Sequence, residues 1–352
     1  MTSDSLLPSP TRDAILDHIA RTTFASLPAD VVAATNVAIA DTLACGMAGS
    51  AESKASIVRH LQMSHFGLGG GPVWGTDQLI APIGAGVANG YQVHCLDNAC
   101  LHEAAGVAPM SVIVPALFDY ADRFGRVTGP DLITAVNIGN DVAVLLALAA
   151  TKEAYFSRTA VCGAMGAAAA LAKLEGFDRP TTAEYFGLVY SQLSGPQQAH
   201  TEASMALSLQ IGFSVRNVLT ALDLARYYLT GPVDVFDGPY GYFKVFERDG
   251  DPKPHLDMLG KVWRITEMSF RPVPSERVSQ ASETPISADI SADMSADQLR
   301  AKFMTCATAA LQPLSLDRAE SLYTRLLTLQ NEKEVSVLSN LAAGFDLEDA
   351  PQ

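Results

Sequence analysis

The stretch TAVCGAMGAAAALAKLEG, residues 159–176, most constrains what this chain can fold into. Nearly every side chain in it is small and apolar, and no polar face develops before Lys173. A helix apolar on all sides is buried on all sides. One built of Ala and Gly is buried at close range, backbone against backbone. The chain must therefore wrap this segment in other helices.

The rest of the sequence supplies them. Apolar residues recur at helical spacing over 30–49, 80–95, 110–124 and 130–150, with Thr128 as an N-cap for the last of these. Thr181-Thr182-Ala183-Glu184 fits a capping box opening a further helix, and 204–229 contains another. Ser295, with Gln298 three residues on, starts a helix through 299–311. Two more are expected over 316–329, capped by Ser315, and over 333–341. Strand-like alternation is confined to 72–74 and 261–269. The expected fold is all-α, a compact orthogonal bundle.

The segment 279–298, SQASETPISADISADMSADQ, differs from its surroundings. It repeats SAD at Ser287, Ser291 and Ser295, is polar and carries Pro285, as a linker does. The expected organisation is a helical main domain (1–278), this linker (279–298), C-terminal helices returning to the main domain (299–343) and a disordered tail (344–352).

Composition excludes several functions. With 352 residues, 48% of them hydrophobic, the chain can bury a large core. Its net charge of −14 lacks the basic footprint that nucleic acids and anionic membranes select. Charged residues are only 18%, so much surface is expected to be covered by a second subunit, as in a homodimer. The five cysteines are odd in number and form no CxxC pair, which suits a reducing cytoplasm. The N-terminus has no signal-peptide pattern. The longest continuous apolar stretch, 142–150, is too short to span a bilayer.

Chemistry concentrates at 94–109, HCLDNACLHEAAGVAP. An Asp or His in an apolar cleft takes a shifted pKa and serves as general acid or base. Asp97, His102 and Glu103 are therefore the catalytic candidates. If the preceding helix continues, His94, Asp97 and Leu101 share one face. The plain alternatives are a helix-terminus Asp97, a loop His102, a solvated Glu103 and core cysteines at Cys95 and Cys100. The mix of His, Cys and acids matches no tetrahedral zinc spacing, so no metal and no other cofactor is expected.

Several segments together resemble the MmgE/PrpD family: ADTLACGMAG (40–49), VWGTDQLIAPIGAGVANGYQVHCLD (73–97), VIVPALF (112–118), GPDLITAVNIGNDV (129–142), TAVCGAMGAAAALAKLEG (159–176), ASMALSLQIGFSVRNVLTALDLA (203–225), TGPVDVFDGPYGYFKVF (230–246) and RPVPS (271–275). The family includes 2-methylcitrate dehydratase, cis-aconitate decarboxylase and iminodisuccinate epimerase. The resemblance implies a helical domain plus a smaller α+β lid, usually in a homodimer. Here the lid looks largely absent, because the chain passes from RPVPSERVSQ through the SAD segment to what resembles the family's C-terminal return.

Most of the family's functional residues do not carry over. In the pattern H-x-L-D-F-D-D-T-H, the leading Asp survives as Asp97, while Ala99, Cys100 and Leu101 replace the two acids and the Thr, and His102 follows. Ala108 stands before Pro109 where the family has His. Leu207 replaces a Lys, Ser157 a His and Gln280 a His. These changes remove carboxylate-binding donors and make the pocket apolar, which suits a bulky, weakly charged small molecule. The substrate-binding candidates are then His94, Cys100, Leu101, Ala108, Tyr155, Arg158 and Leu207. Arg158 is placed to anchor one anionic group. His200 and Glu202 are outlying candidates, and Tyr240 and Tyr242 read as packing residues.

The expected activity is cofactor-independent: cyclisation, including pericyclic closure, isomerisation, epimerisation or dehydration in secondary metabolism. The alternatives are a non-catalytic dimeric scaffold and family-type carboxylate chemistry with relocated residues.

Overall fold

The structure, a computed structural model, describes residues 8–272 and 294–345. The elements run α1 (Pro10–Arg21), α2 (Ala29–Gly49), α3 (Ala55–Phe66), β1 (Leu68–Pro72), β2 (Leu79–Ile80), α4 (Pro82–His94), α5 (Met110–Phe124), α6 (Gly129–Leu148), α7 (Arg158–Glu175), α8 (Arg179–Tyr190), α9 (Gln198–Thr201), α10 (Ala206–Arg226), α11 (Tyr242–Val245), α12 (Lys253–Leu256), α13 (Ala296–Thr308), α14 (Leu316–Leu327) and α15 (Ser336–Ala342). The only sheet among the described residues pairs β1 with β2, antiparallel and bulged between Leu68 and Gly71. The fold is all-α.

The small-residue helix sits where its composition requires. Residues 159–172 of α7 are all buried, and α7 packs along α5, α6 and α10. A Cβ on Gly166 would lie 2.4 Å from the Gly139 carbonyl oxygen of α6. Between α2 and α4, a Cβ on Gly49 would lie 2.0 Å from the Gln92 carbonyl oxygen. Only glycine permits these approaches.

Caps set the helix starts. Thr128 closes a box with Asp131, Ser157 caps α7, Ser295 pairs with Gln298 and Ser315 caps α14. The box expected at Thr181 does not form. Asp178 is the N-cap instead, its carboxylate accepting the Thr181 N–H at 2.9 Å. Pro180 in the first turn favours that earlier start. The strand expected over 261–269 is also absent; Arg264–Glu267 is a 3₁₀ turn, and Ser269 makes one isolated bridge to Leu101. The other expected strand, 72–74, lies mostly earlier, as β1.

The C-terminal helices return to the main body, with α13 and α14 on α2 and α15 on α5. Backbone bonds join Gly129 N–H to Glu332 O at 2.8 Å and Gly75 N–H to Ala342 O at 2.8 Å. The Trp74 indole donates to Ser339 Oγ at 3.0 Å. Residues 273–293 separate the two described parts. Gln280, Pro285, the SAD copies at Ser287 and Ser291, and the tail from residue 346 lie outside the described residues.

Helices α2 and α6 are long and apolar enough to span a bilayer, unlike the nine-residue stretch singled out by sequence. Their most apolar windows are 78% and 89% buried inside the bundle.

Candidate active site at the end of α4

Helix α4 stops at His94, so His94, Asp97 and Leu101 do not share a helical face. Asp97 takes a left-handed backbone (φ 50°), which Asp tolerates better than most residues, and its N–H returns to the His94 carbonyl at 3.1 Å. The chain then turns across α2. Leu101 exchanges backbone bonds with Ser269, its N–H to Ser269 O at 3.0 Å and the reverse at 2.8 Å. That bridge brings Arg271 to the site. Arg271 Nη1 lies 3.2 Å from Asp97 Oδ1 and 3.3 Å from the Asp97 carbonyl.

Burial pushes the His94 imidazole below its ordinary pKa. The Asp97 carboxylate opposes this, while Arg271 and His200 add to it. His94, Asp97, Arg271 and the α9 residue His200 therefore form one electrostatic group. An imidazole of lowered pKa close to an Arg–carboxylate pair can serve as a general base with a cation at hand.

His102 belongs to a separate set of contacts. Its Nδ1 lies 3.2 Å from the Ala105 N–H, and its Nε2 lies 2.7 Å from Glu267 Oε2. The backbone N–H can only donate, so Nδ1 accepts and the proton sits on Nε2, facing Glu267. Arg264 grips the same carboxylate at 3.0 and 3.1 Å. Burial alone would raise the Glu267 pKa; the His102 and Arg264 hydrogen bonds outweigh it and lower it. Both ring nitrogens of His102 are thus engaged in holding the loop.

The remaining candidates divide by environment. Glu103 is exposed and contributes its carbonyl to a turn with Gly106. Cys100 is fully buried. Leu101, Ala108 and Leu207 are half-buried, and the Ala108 N–H donates to Thr159 Oγ1 at 3.2 Å. Tyr155 is exposed under the Arg248 guanidinium, 4.2 Å from its ring centre. Arg158 is already occupied, with Nε 3.1 Å from Glu247 Oε2 and Nη2 2.9 Å from Lys152 O. Glu247 also accepts from Tyr242 Oη at 3.2 Å, and that hydroxyl lies 3.0 Å from Cys162 Sγ. Tyr242 is thus part of a buried polar chain rather than simple packing.

Arg271, not Arg158, is the cation beside Asp97. No periodic signal marks Arg271, because the contact depends on one isolated backbone bridge. Asp41 and Lys302 were not among the candidates; Asp41 is a lone acid in the buried part of α2, whereas Lys302 shares α13 with Asp297 and Arg300. Lys302 Nζ lies 2.5 Å from Asp41 Oδ1, and both side chains are at most 2% exposed. A depression of about 500 Å³, lined by Phe24, Tyr120, Phe124, Arg126 and Lys173 among others, includes none of the His94–Asp97 group. Among the described residues no group of three or more His, Cys, Asp or Glu side chains is arranged to hold a metal ion.

The sequence pattern of the MmgE/PrpD N-terminal domain matches residues 13–255. The chain belongs to the MmgE/PrpD family. It is 29% identical to the cis-aconitate decarboxylase-like protein oryM of Aspergillus oryzae, over 70% of this chain and 54% of that protein. It is 26% identical to human cis-aconitate decarboxylase over 67% of this chain and 50% of that protein. For the Aspergillus terreus cis-aconitate decarboxylase the identity is 24%, over 65% and 48%. The chain spans about half the length of the curated relatives it matches. These relatives are named as decarboxylases or as decarboxylase-like.

Proposed function

We propose that this protein is a cofactor-independent enzyme that abstracts a proton from a mainly apolar small molecule carrying one carboxylate. Isomerisation, or elimination of water, completes the reaction. The observation that carries this is the His94–Asp97–Arg271 group. A neutral imidazole accepts the proton, and Arg271 offsets the negative charge that develops next to the substrate carboxylate. Asp97 orients that guanidinium. In elimination, the proton held by His94 leaves with the hydroxyl as water, so the base is regenerated. The relatives' names support lyase-type chemistry, and Leu101, Ala108 and Leu207 at formerly polar family positions favour an apolar substrate body.

A second reading, decarboxylation as named for the relatives, has Arg271 in its favour as a carboxylate anchor. It needs an acid to protonate the carbanion that CO₂ loss leaves behind. The pH profile separates the two. Comparing metabolites of the host with and without the gene identifies the intermediate to supply to purified protein. Under the base reading kcat/KM rises with pH through an apparent pKa below 6.5 and then levels, since His94 must be neutral. His94→Gln lowers kcat about 100-fold or more. A profile falling through that pKa establishes the acid role and decarboxylation. A flat profile points to shape-only pericyclic closure, and no metabolite difference at all leaves the scaffold reading standing.

A further inference from the structure

The loop that presents Asp97 is anchored from beneath by a buried ion pair. Lys302, on α13, donates to Asp41 Oδ1 of α2 at 2.5 Å and to the Asn98 carbonyl at 2.7 Å. The other Asp41 oxygen accepts the Cys100 N–H at 3.1 Å. The pair therefore binds the backbone at 98 and 100, immediately after the left-handed Asp97. The Asn98 side chain is buried and makes no hydrogen bond, so it gives the loop no tie of its own. A void of about 10 Å³, room for one water, adjoins the pair.

We propose that Lys302 and Asp41 are positioning residues for the His94–Asp97 site, fixing the 97–101 loop so that Asp97 meets Arg271. Charge pairing as such is a poor reason to keep them. Two buried ions are often replaced by apolar side chains with no loss of stability. Helix α13 has its own apolar anchors in Phe303, Cys306 and Ala307, all buried. What apolar side chains cannot supply is an acceptor for the Cys100 N–H and a strong donor for the Asn98 carbonyl, which would keep only the weak Cys45 thiol at 3.5 Å. The C-terminal helix thereby completes a site whose other members lie upstream of residue 272.

The proposal rests on reading the His94–Asp97 group as the site, but its test uses no turnover. Two double variants are compared with the parent by amide hydrogen exchange and histidine NMR titration. Asp41→Leu with Lys302→Met fills the space and removes the backbone partners. Asp41→Asn with Lys302→Gln removes the charges and keeps an acceptor and a donor. The apolar pair should still unfold cooperatively, with exchange of the Leu101 amide rising about tenfold or more. Its own acceptor, Ser269, is untouched. The His94 titration should shift by about half a pH unit. The amide pair should restore parent behaviour in both. Unchanged Leu101 exchange in the apolar variant overturns the proposal. So does failure of either variant to fold, or loss of protection throughout the helices, because the pair would then be serving the whole fold.

Discussion

Single charged residues in this chain announce buried chemistry by their surroundings. Asp119, on α5, is buried, with the helix's other charges, Asp122 and Arg123, in its last turn. Burial drives its carboxyl up to about 8, outweighing the Arg123 guanidinium and the Gly86 N–H. A folded-state pKa above the unfolded value of 3.8 means the folded protein holds that proton more tightly. Stability from this group is complete below about pH 4 and declines as pH rises toward 8. Asp119→Asn should therefore stabilise the protein more at pH 8 than at pH 5, with a difference on the order of 4 kcal/mol at most. Urea unfolding at the two pH values measures it, and an equal effect at both would remove the assignment. The same logic applies to Asp41 in ADTLACGMAG, which was not among the candidates: a lone acid on a buried stretch demands a partner. Sequence could not name Lys302, because 261 residues separate the two. Nor could it show that His102, one candidate base, spends both nitrogens on Ala105 and Glu267.

Elements were read best where periodicity ran long. Helix α5 matches its expected bounds, and α2, α6 and α7 differ by a residue or two. The misses have local causes. Helices α1 and α3 are amphipathic and short, and their polar faces obscure the pattern. Over 261–269, alternating residues imitated a strand, but the chain there has no neighbouring strand to pair with beyond the single Leu101 bridge. At α8 two cap assignments compete, and substitution separates them. Asp178→Ala should cost about 1 kcal/mol, since its carboxylate is the acceptor of the Thr181 N–H. Thr181→Ala removes no cap and should change stability by less than about 0.5 kcal/mol. The reverse ranking in urea unfolding would restore Thr181 as the N-cap.

At the scale of the whole molecule, the two described parts are one folding unit joined by side chains and backbone from both. Removing residues 294–352 would strand Asp41 without Lys302 in a buried position, a change of the class that costs about 3–5 kcal/mol. It would also expose the surface of α2 that α13 and α14 cover, and release Trp74 from Ser339. All of these contacts are made between residues up to 272 and residues from 294 on. We therefore expect a protein cleaved at a protease site placed in that segment to elute as a single species, retaining its helical circular dichroism and the parent's His94 titration. The fragment ending at 272, expressed alone, should be insoluble. Separation of the cleaved parts on a sizing column would mean that the covalent connection, rather than the Lys302–Asp41 pair and the α2–α13 contact, holds the C-terminal helices in place. A soluble, cooperatively folding fragment 1–272 would instead make the C-terminal helices an accessory, and the positioning of Asp97 would have to come from Arg271 and the Leu101–Ser269 bridge.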